Sequence, residues 1–99
     1  MLNITTNTEN TTVELALEGR LDTVTAPQFE TAVKESLDGT TLLVLNFEKL
    51  AYISSAGLRV LLFAQKRMNE QGDMKVTHVG DTVKDIFEVT GFTDILTIE

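Results

Sequence analysis

From Thr41 to Phe47 the chain is nearly all apolar, the pattern of a strand with both faces covered. Beyond it the period changes. Leu58, Leu61, Leu62, Gln65 and Met68 recur at helical spacing, with Lys66, Arg67 and Asn69 on the far side. The stretch Tyr52-Ile53-Ser54-Ser55-Ala56-Gly57-Leu58-Arg59 joins the two and becomes the point around which the rest is organised. Ser54 or Ser55 is the natural N-cap, because a short hydroxyl accepts the orphan amide hydrogens of a first helical turn. Both hydroxyls then lie at the positive end of a helix dipole. That end suits an anion, either a bound phosphate or a phosphate attached to one of the serines.

A chain of 99 residues can bury one modest core, so a single domain over residues 1–99 is expected. Its 42% apolar and 23% charged residues suit a globular protein. Cysteine is absent, which excludes disulfides, thiolate metal sites and cysteine catalysis. Fifteen acidic against eight basic residues give a formal charge of −7, which argues against nucleic acid as a partner. It suits a basic partner or simply a solvated acidic surface. Met1 to Asn10 has neither the basic start nor the apolar run of a signal peptide, and no segment approaches the roughly 18 apolar residues of a membrane span. A cytoplasmic protein without membrane insertion is the expectation. With no His/Asp/Glu cluster at metal spacing and no Walker-type glycine loop, neither a metal nor another cofactor is expected.

In chain order, Leu2 to Thr6 predicts a short edge strand and Asn7 to Asn10 a hairpin turn. From Thr12 the alternation is clean, with Val13, Leu15 and Leu17 on one face and Glu14, Ala16 and Glu18 on the other. Gly19-Arg20-Leu21-Asp22 is read as the exit from that strand. Thr25 and Gln28 fit a capping box, with Pro27 tolerated in the first turn. Phe29, Ala32, Val33, Ser36 and Leu37 form a narrow helical stripe that Asp38-Gly39 ends. After the central strand and helix, Gln71-Gly72-Asp73 turns into a strand from Met74 to Val79. Gly80-Asp81 begins a third helix over Val83, Ile86, Phe87 and Thr90, stopped by Gly91, and Ile95 to Ile98 makes a last short strand.

The predicted architecture is α/β, with a mixed, mostly parallel sheet of about five strands and three main helices packed largely on one face. In such a sheet the carboxyl ends of neighbouring parallel strands share one edge, where ligands and partners bind. Asp22, Ser54, Ser55 and the His78-Val79-Gly80-Asp81 turn are therefore expected together at that edge.

Gly19-Arg20-Leu21-Asp22, the Leu43 to Leu50 strand, Tyr52-Ile53-Ser54-Ser55-Ala56-Gly57-Leu58 and Thr90-Gly91-Phe92 together resemble the STAS domain. This is the fold of bacterial anti-sigma-factor antagonists, found also in sulphate transporters, and the resemblance runs end to end. It implies a regulatory binding module in which a serine of an Asp-Ser-Ser/Thr-Gly motif is phosphorylated by an anti-sigma factor that is itself a kinase. The unphosphorylated antagonist binds that kinase and frees the sigma factor. Alignment on Gly57 puts Ser55 at the phosphoacceptor position, Ala56 at the second hydroxyl position and Ser54 where the family's aspartate stands. Arg59, one turn after Ser55, is placed to pair with a phosphate there or with a partner's carboxylate. Partner contact is assigned to Asp22, Ser54, Ser55, Gly57 and Arg59.

Each assignment has a plainer counterpart. Ser55 is otherwise a cap worth about 1 kcal/mol, and Asp22 an Asx turn. Gly57 gives room for another backbone to approach the first helical turn. The alternative function is a constitutive STAS module of a transporter ATPase or signalling assembly, without phosphorylation. Catalysis by Ser55 with His78 as base is the least favoured reading, since no G-x-S-x-G elbow is present. The chain is read as a binder, not an enzyme.

Overall fold

Alternating burial along the second strand sets the layer order of the domain. Val13, Leu15, Leu17 and Leu21 are buried, whereas Glu14 and Ala16 are half-buried and Glu18 and Arg20 exposed. In the computed structural model, which describes residues 1–99, the elements follow as β1 (Leu2–Glu9), β2 (Thr12–Leu21), α1 (Ala26–Ser36), β3 (Leu42–Ile53), α2 (Ser55–Gln71), β4 (Asp73–Thr77) and α3 (Asp81–Thr90). A short 3-10 turn at Phe92–Asp94 follows. The sheet order is β1-β2-β3-β4. β1 is antiparallel to β2, and β2, β3 and β4 are mutually parallel.

The mixed, mostly parallel α/β sheet with three helices is thus as expected, but it has four strands and not five. Residues 95–98, read as a fifth strand, contribute one isolated bridge between Val76 and Ile98. The 3-10 turn uses up the residues just before it, and the five-residue β4 offers little ladder to extend. The central strand also differs in environment. Leu43, Leu45 and Phe47 are fully buried, but Leu42, Val44 and Asn46 on the opposite face are only half-buried. That face carries no helix, so its cover comes from neighbouring strand side chains. Asn46 Nδ2 lies 3.4 Å from Glu14 Oε2 there, and the Arg20 guanidinium stacks 4.5 Å from the Tyr52 ring centroid.

Several boundaries move because pairing overrides local composition. β1 runs on to Glu9, and the hairpin turns at Asn10-Thr11, where Asn10 takes a positive φ of 57° that asparagine tolerates. Gly19-Arg20-Leu21 stays in β2, since β3 pairs beside it at Gly19↔Leu50, Arg20↔Tyr52 and Leu21↔Ile53. β3 is longer than the apolar run and ends at Ile53. β4 stops at Thr77, and His78 leaves it with φ 56°, so Val79 is outside the strand.

The buried helix stripes meet the sheet as their spacing predicts. Phe29 and Val33 from α1 with Leu37 just after it, Leu58, Leu61, Ala64 and Met68 from α2, and Val83 and Phe87 from α3 all join one core with the buried strand residues. Phe47 and Phe87 rings lie 6.4 Å apart and tie α3 to β3. Gly91 ends α3 in the left-handed conformation, φ 81°, that only glycine adopts without cost.

Candidate functional site

β2 and β3 end side by side, and their ladder continues one step into the loops, with Ser54 N donating to Leu21 O at 2.8 Å. The chain after Leu21 and the chain after Ile53 therefore emerge together. This brings Asp22 and Ser54-Ser55 to one edge of the sheet.

Ser54 is the N-cap of α2. Its backbone is extended, and its hydroxyl accepts from Gly57 N at a long 3.5 Å. Ser54 O also accepts the amide of Leu58 at 2.9 Å. Ser55 is the first helical residue and is exposed, and no side-chain hydrogen bond within the chain engages its hydroxyl. Arg59, one turn further along the same face, is exposed and takes part in neither of the chain's two ion pairs.

Gly57 lies inward. It is buried, and a Cβ there would meet Leu21 Cγ at 2.7 Å and Ile53 Cγ1 at 2.9 Å. The close approach expected at this glycine comes from two core side chains of its own domain, not from another backbone. Both atoms belong to fully buried side chains, which have little space to swing aside. Gly57→Ala is expected to destabilise by about 1–2 kcal/mol, as overpacking outweighs the gain in helix propensity. Urea denaturation measures it. A variant as stable as the parent would show that Leu21 and Ile53 have room to move.

Asp22 forms the Asx turn weighed from the sequence. Its Oδ1 accepts from Val24 N at 3.0 Å and Thr25 N at 3.1 Å. The Thr25 hydroxyl accepts from Asp22 N at 2.9 Å and donates to Arg20 O at 2.8 Å, with Asp22 Oδ1 3.2 Å away as a competing acceptor. The capping box expected at Thr25 and Gln28 is not formed. Thr25 spends its hydroxyl on the Asp22 turn, and Gln28 Nε2 donates to Leu2 O at 3.0 Å.

The Thr25 amide is the main cause that holds the Asp22 carboxyl below its ordinary 3.8. Desolvation opposes it, and the Thr25 hydroxyl, the Val24 amide and the N-terminal ammonium add to it. Because the folded pKa is depressed, the turn's contribution is fully present above the unfolded value. It is lost as pH falls through the folded one. Asp22→Ala is therefore expected to be less stable than the parent at about pH 7, with the gap closing in acid below 3.8. A gap that stays constant into acid would show that the carboxylate charge does not order this loop.

The His78 turn does not join the site. Thr77 pairs with Asn46, and β3 runs on from there to Ile53, roughly 20 Å at the usual strand rise. His78 Nδ1 instead meets Thr77 Oγ1 at 3.1 Å. The expected gathering of this turn at the serine edge fails because β4 is too short to reach it. The pairing of Ser55 as nucleophile with His78 as base fails with it. Sequence reasoning also passed over Val24, which the Asp22 turn holds 85% exposed beside the serine edge. A branched apolar residue that fits no apolar period was its signal.

The model of the STAS domain family matches residues 3–99. This chain belongs to the STAS domain family. An anti-sigma-B factor antagonist of Staphylococcus aureus (strain NCTC 8325 / PS 47) is 31% identical over 97 residues, which cover 96% of this STAS chain and 90% of that protein. The crystal structure of an anti-sigma factor antagonist from Mycobacterium paratuberculosis has a TM-score of 0.91 at 19% identity, over 99% of this chain and 85% of that one. The phosphorylated form of the Bacillus cell fate determinant SpoIIAA has a TM-score of 0.76 at 19% identity, over 98% and 91%. At these identities the structural likeness carries the STAS fold alone. No helix of this STAS domain is long and apolar enough to cross a membrane.

Proposed function

We propose that this STAS domain is an anti-sigma-factor antagonist, a binding module switched by phosphorylation of Ser55. The observation that carries the reading is the division of labour at the start of α2. Ser54 caps the helix, which leaves the exposed Ser55 hydroxyl free at the positive end of the dipole. The relative from Staphylococcus aureus bears the name of an antagonist, and the Bacillus structure is of a phosphorylated form. The partner is an anti-sigma factor with kinase activity. In the transfer, the γ-phosphoryl group of ATP moves to Ser55 Oγ, the hydroxyl proton passes to a base on the kinase, and ADP leaves. The domain is a substrate and a binder in this scheme, not a catalyst, and it acts in the cytoplasm with its sigma factor.

Ser54 stands where the motif carries aspartate, and serine caps a helix about as well as aspartate does. The departure therefore leaves the geometry at Ser55 intact while removing a carboxylate beside it. Asp22 and Arg59 complete the contact surface, with Gly57 setting the seat of the first turn. The deciding experiment is phosphate incorporation with a histidine-kinase-like ATPase of the same organism, mapped by mass spectrometry. Label is expected at Ser55, not at Ser54, and is lost in Ser55→Ala. Label that persists in Ser55→Ala sinks the assignment. A gene neighbourhood holding a transporter ATPase instead, with no labelling, selects the constitutive module, which the changes at Ser54 and Ala56 favour.

A further inference from the structure

Every fourth residue of α2 from its start reads Ser55, Arg59, Phe63 and Arg67, so the four form one ridge that slants around the helix by about 40° a step. Arg59 and Arg67 are exposed, and both are free of ion pairs, since the pairs of the chain are Lys34 with Glu30 and Lys75 with Glu99. Phe63 is half-buried. Its ring centroid lies 5.7 Å from Lys34 Nζ of α1 and 5.9 Å from Arg67 Cζ. A groove between α1 and α2 follows the ridge in two stretches that share Phe63 as a wall. The one nearer Ser55 measures about 260 Å³ and is bounded by Thr23, Ala56 and Arg59. The farther one measures about 550 Å³ and is bounded by Lys34, Leu37 and Arg67.

We propose that this groove docks an acidic amphipathic segment of the protein partner, laid as a helix along α2 away from Ser55. The inference extends the contact proposed at Ser55 and rests on that reading for which protein supplies the segment, but not for the chemistry of the groove. The chain as a whole carries −7, which suits a basic partner at long range. Locally the sign is reversed. Lys34, Arg59 and Arg67 line the groove against Glu30 and Asp38, and with Lys34 and Glu30 paired to each other the two arginines face Asp38 alone. Screening limits the opposing field of more distant carboxylates to about 10 Å at 0.1 M salt. The two unpaired guanidinium forks fit carboxylates, and the half-buried Phe63 and Ala56 supply apolar area beside them. From Ser55 to Arg67 the ridge is about 18 Å long, the span of a helix of about 12 residues. A phosphate on Ser55 would compete for Arg59 and repel the acidic segment, so the groove would be read out by the same switch.

The test is an NMR titration of the ¹⁵N-labelled full chain with two helical peptides of about 14 residues. Both carry the same leucine stripe, with glutamate at the remaining positions of one and lysine in the other. The acidic peptide is expected to shift amides along α2 from Ser55 to Gln71 and at the end of α1 and just beyond it, from Lys34 to Leu37. The double variant Arg59→Gln with Arg67→Gln should weaken it about tenfold or more. Arg20→Gln, on the open sheet face, should leave it unchanged, and thermal melting confirms that both proteins are folded. Failure of the acidic peptide to bind, shifts outside the groove, equal affinity for the lysine peptide, or equal weakening by Arg20→Gln would each overturn the proposal. Phosphate incorporation is read separately. If Ser55 takes no label while the peptide seats, the switch fails and the groove stands. If Ser55 is labelled while the peptide misses the groove, the reverse holds.

Discussion

A single phosphate on Ser55 is expected to lower affinity for the proposed protein partner by about two orders of magnitude while leaving the domain folded. The modification adds a charge of about −1.5 to −2 at the first residue of α2. Within the free domain that charge is welcome. The helix dipole favours it by about 0.3–1 kcal/mol, and Arg59 one turn on supplies an exposed pairing of similar or smaller worth. In an interface centred on Ser55 the balance reverses, because burying an uncompensated charge costs about 3–5 kcal/mol. Where the dipole and Arg59 still act in the complex they offset part of that cost, which leaves a net penalty of about 2–4 kcal/mol, or about 30- to 1,000-fold in affinity. Calorimetric titration of phosphorylated and unmodified protein against the same partner measures it, and melting curves check the fold. Ser55→Ala should retain binding, and Ser55→Asp should fall between, since it carries one charge and fewer acceptor oxygens. Equal affinity of the two forms would reject the switch.

Phe47→Ala is expected to remove about 3–5 kcal/mol of stability, a large share of the roughly 5–15 kcal/mol a domain of this size holds. Phe47 is fully buried, and its ring meets Phe87 at 6.4 Å, which in turn stacks at 6.4 Å on Phe92. Its place matters as much as its volume. β4 supports β3 only from Leu42 to Asn46, so on that side the rest of β3, which leads to Ser54, depends on α3 packed over Phe47. Denaturation should show the loss, and amide exchange should rise from Glu48 to Ile53 as well as in α3. Phe47→Leu should recover part of it, because more of the volume is kept. A Phe47→Ala protein within about 1 kcal/mol of the parent would mean that α3 does not depend on this contact.

Much of the candidate site was legible in the chain itself. The switch from an apolar run to a helical period places a helix start at Ser54-Ser55, and the hydroxyl preference of N-caps selects those residues. What periodicity could not say is which serine caps and which stays free. That depends on the extended backbone of Ser54, which its hydrogen bond to Leu21 O in the neighbouring strand helps to hold. Gly57 shows the same division. Its presence in a first helical turn signals a close approach, but that Leu21 and Ile53 make the approach follows from packing alone.

The sequence by itself determined the α/β class, the three helices and the chain order of the strands, because burial on one face imprints a period of two or 3.6 on any element. It also placed the two serines at a helix start, since capping is decided within four residues. Only the tertiary structure decided where strands stop, that the fifth is no more than a bridge, and that His78 lies far from Ser55. Strand ends are set by the partner that supplies the other half of each hydrogen bond, and that partner is remote in the chain. The register Thr77↔Asn46 therefore leaves no trace in residues 77 or 46 taken alone, yet it separates two turns that a shared sheet edge would have joined.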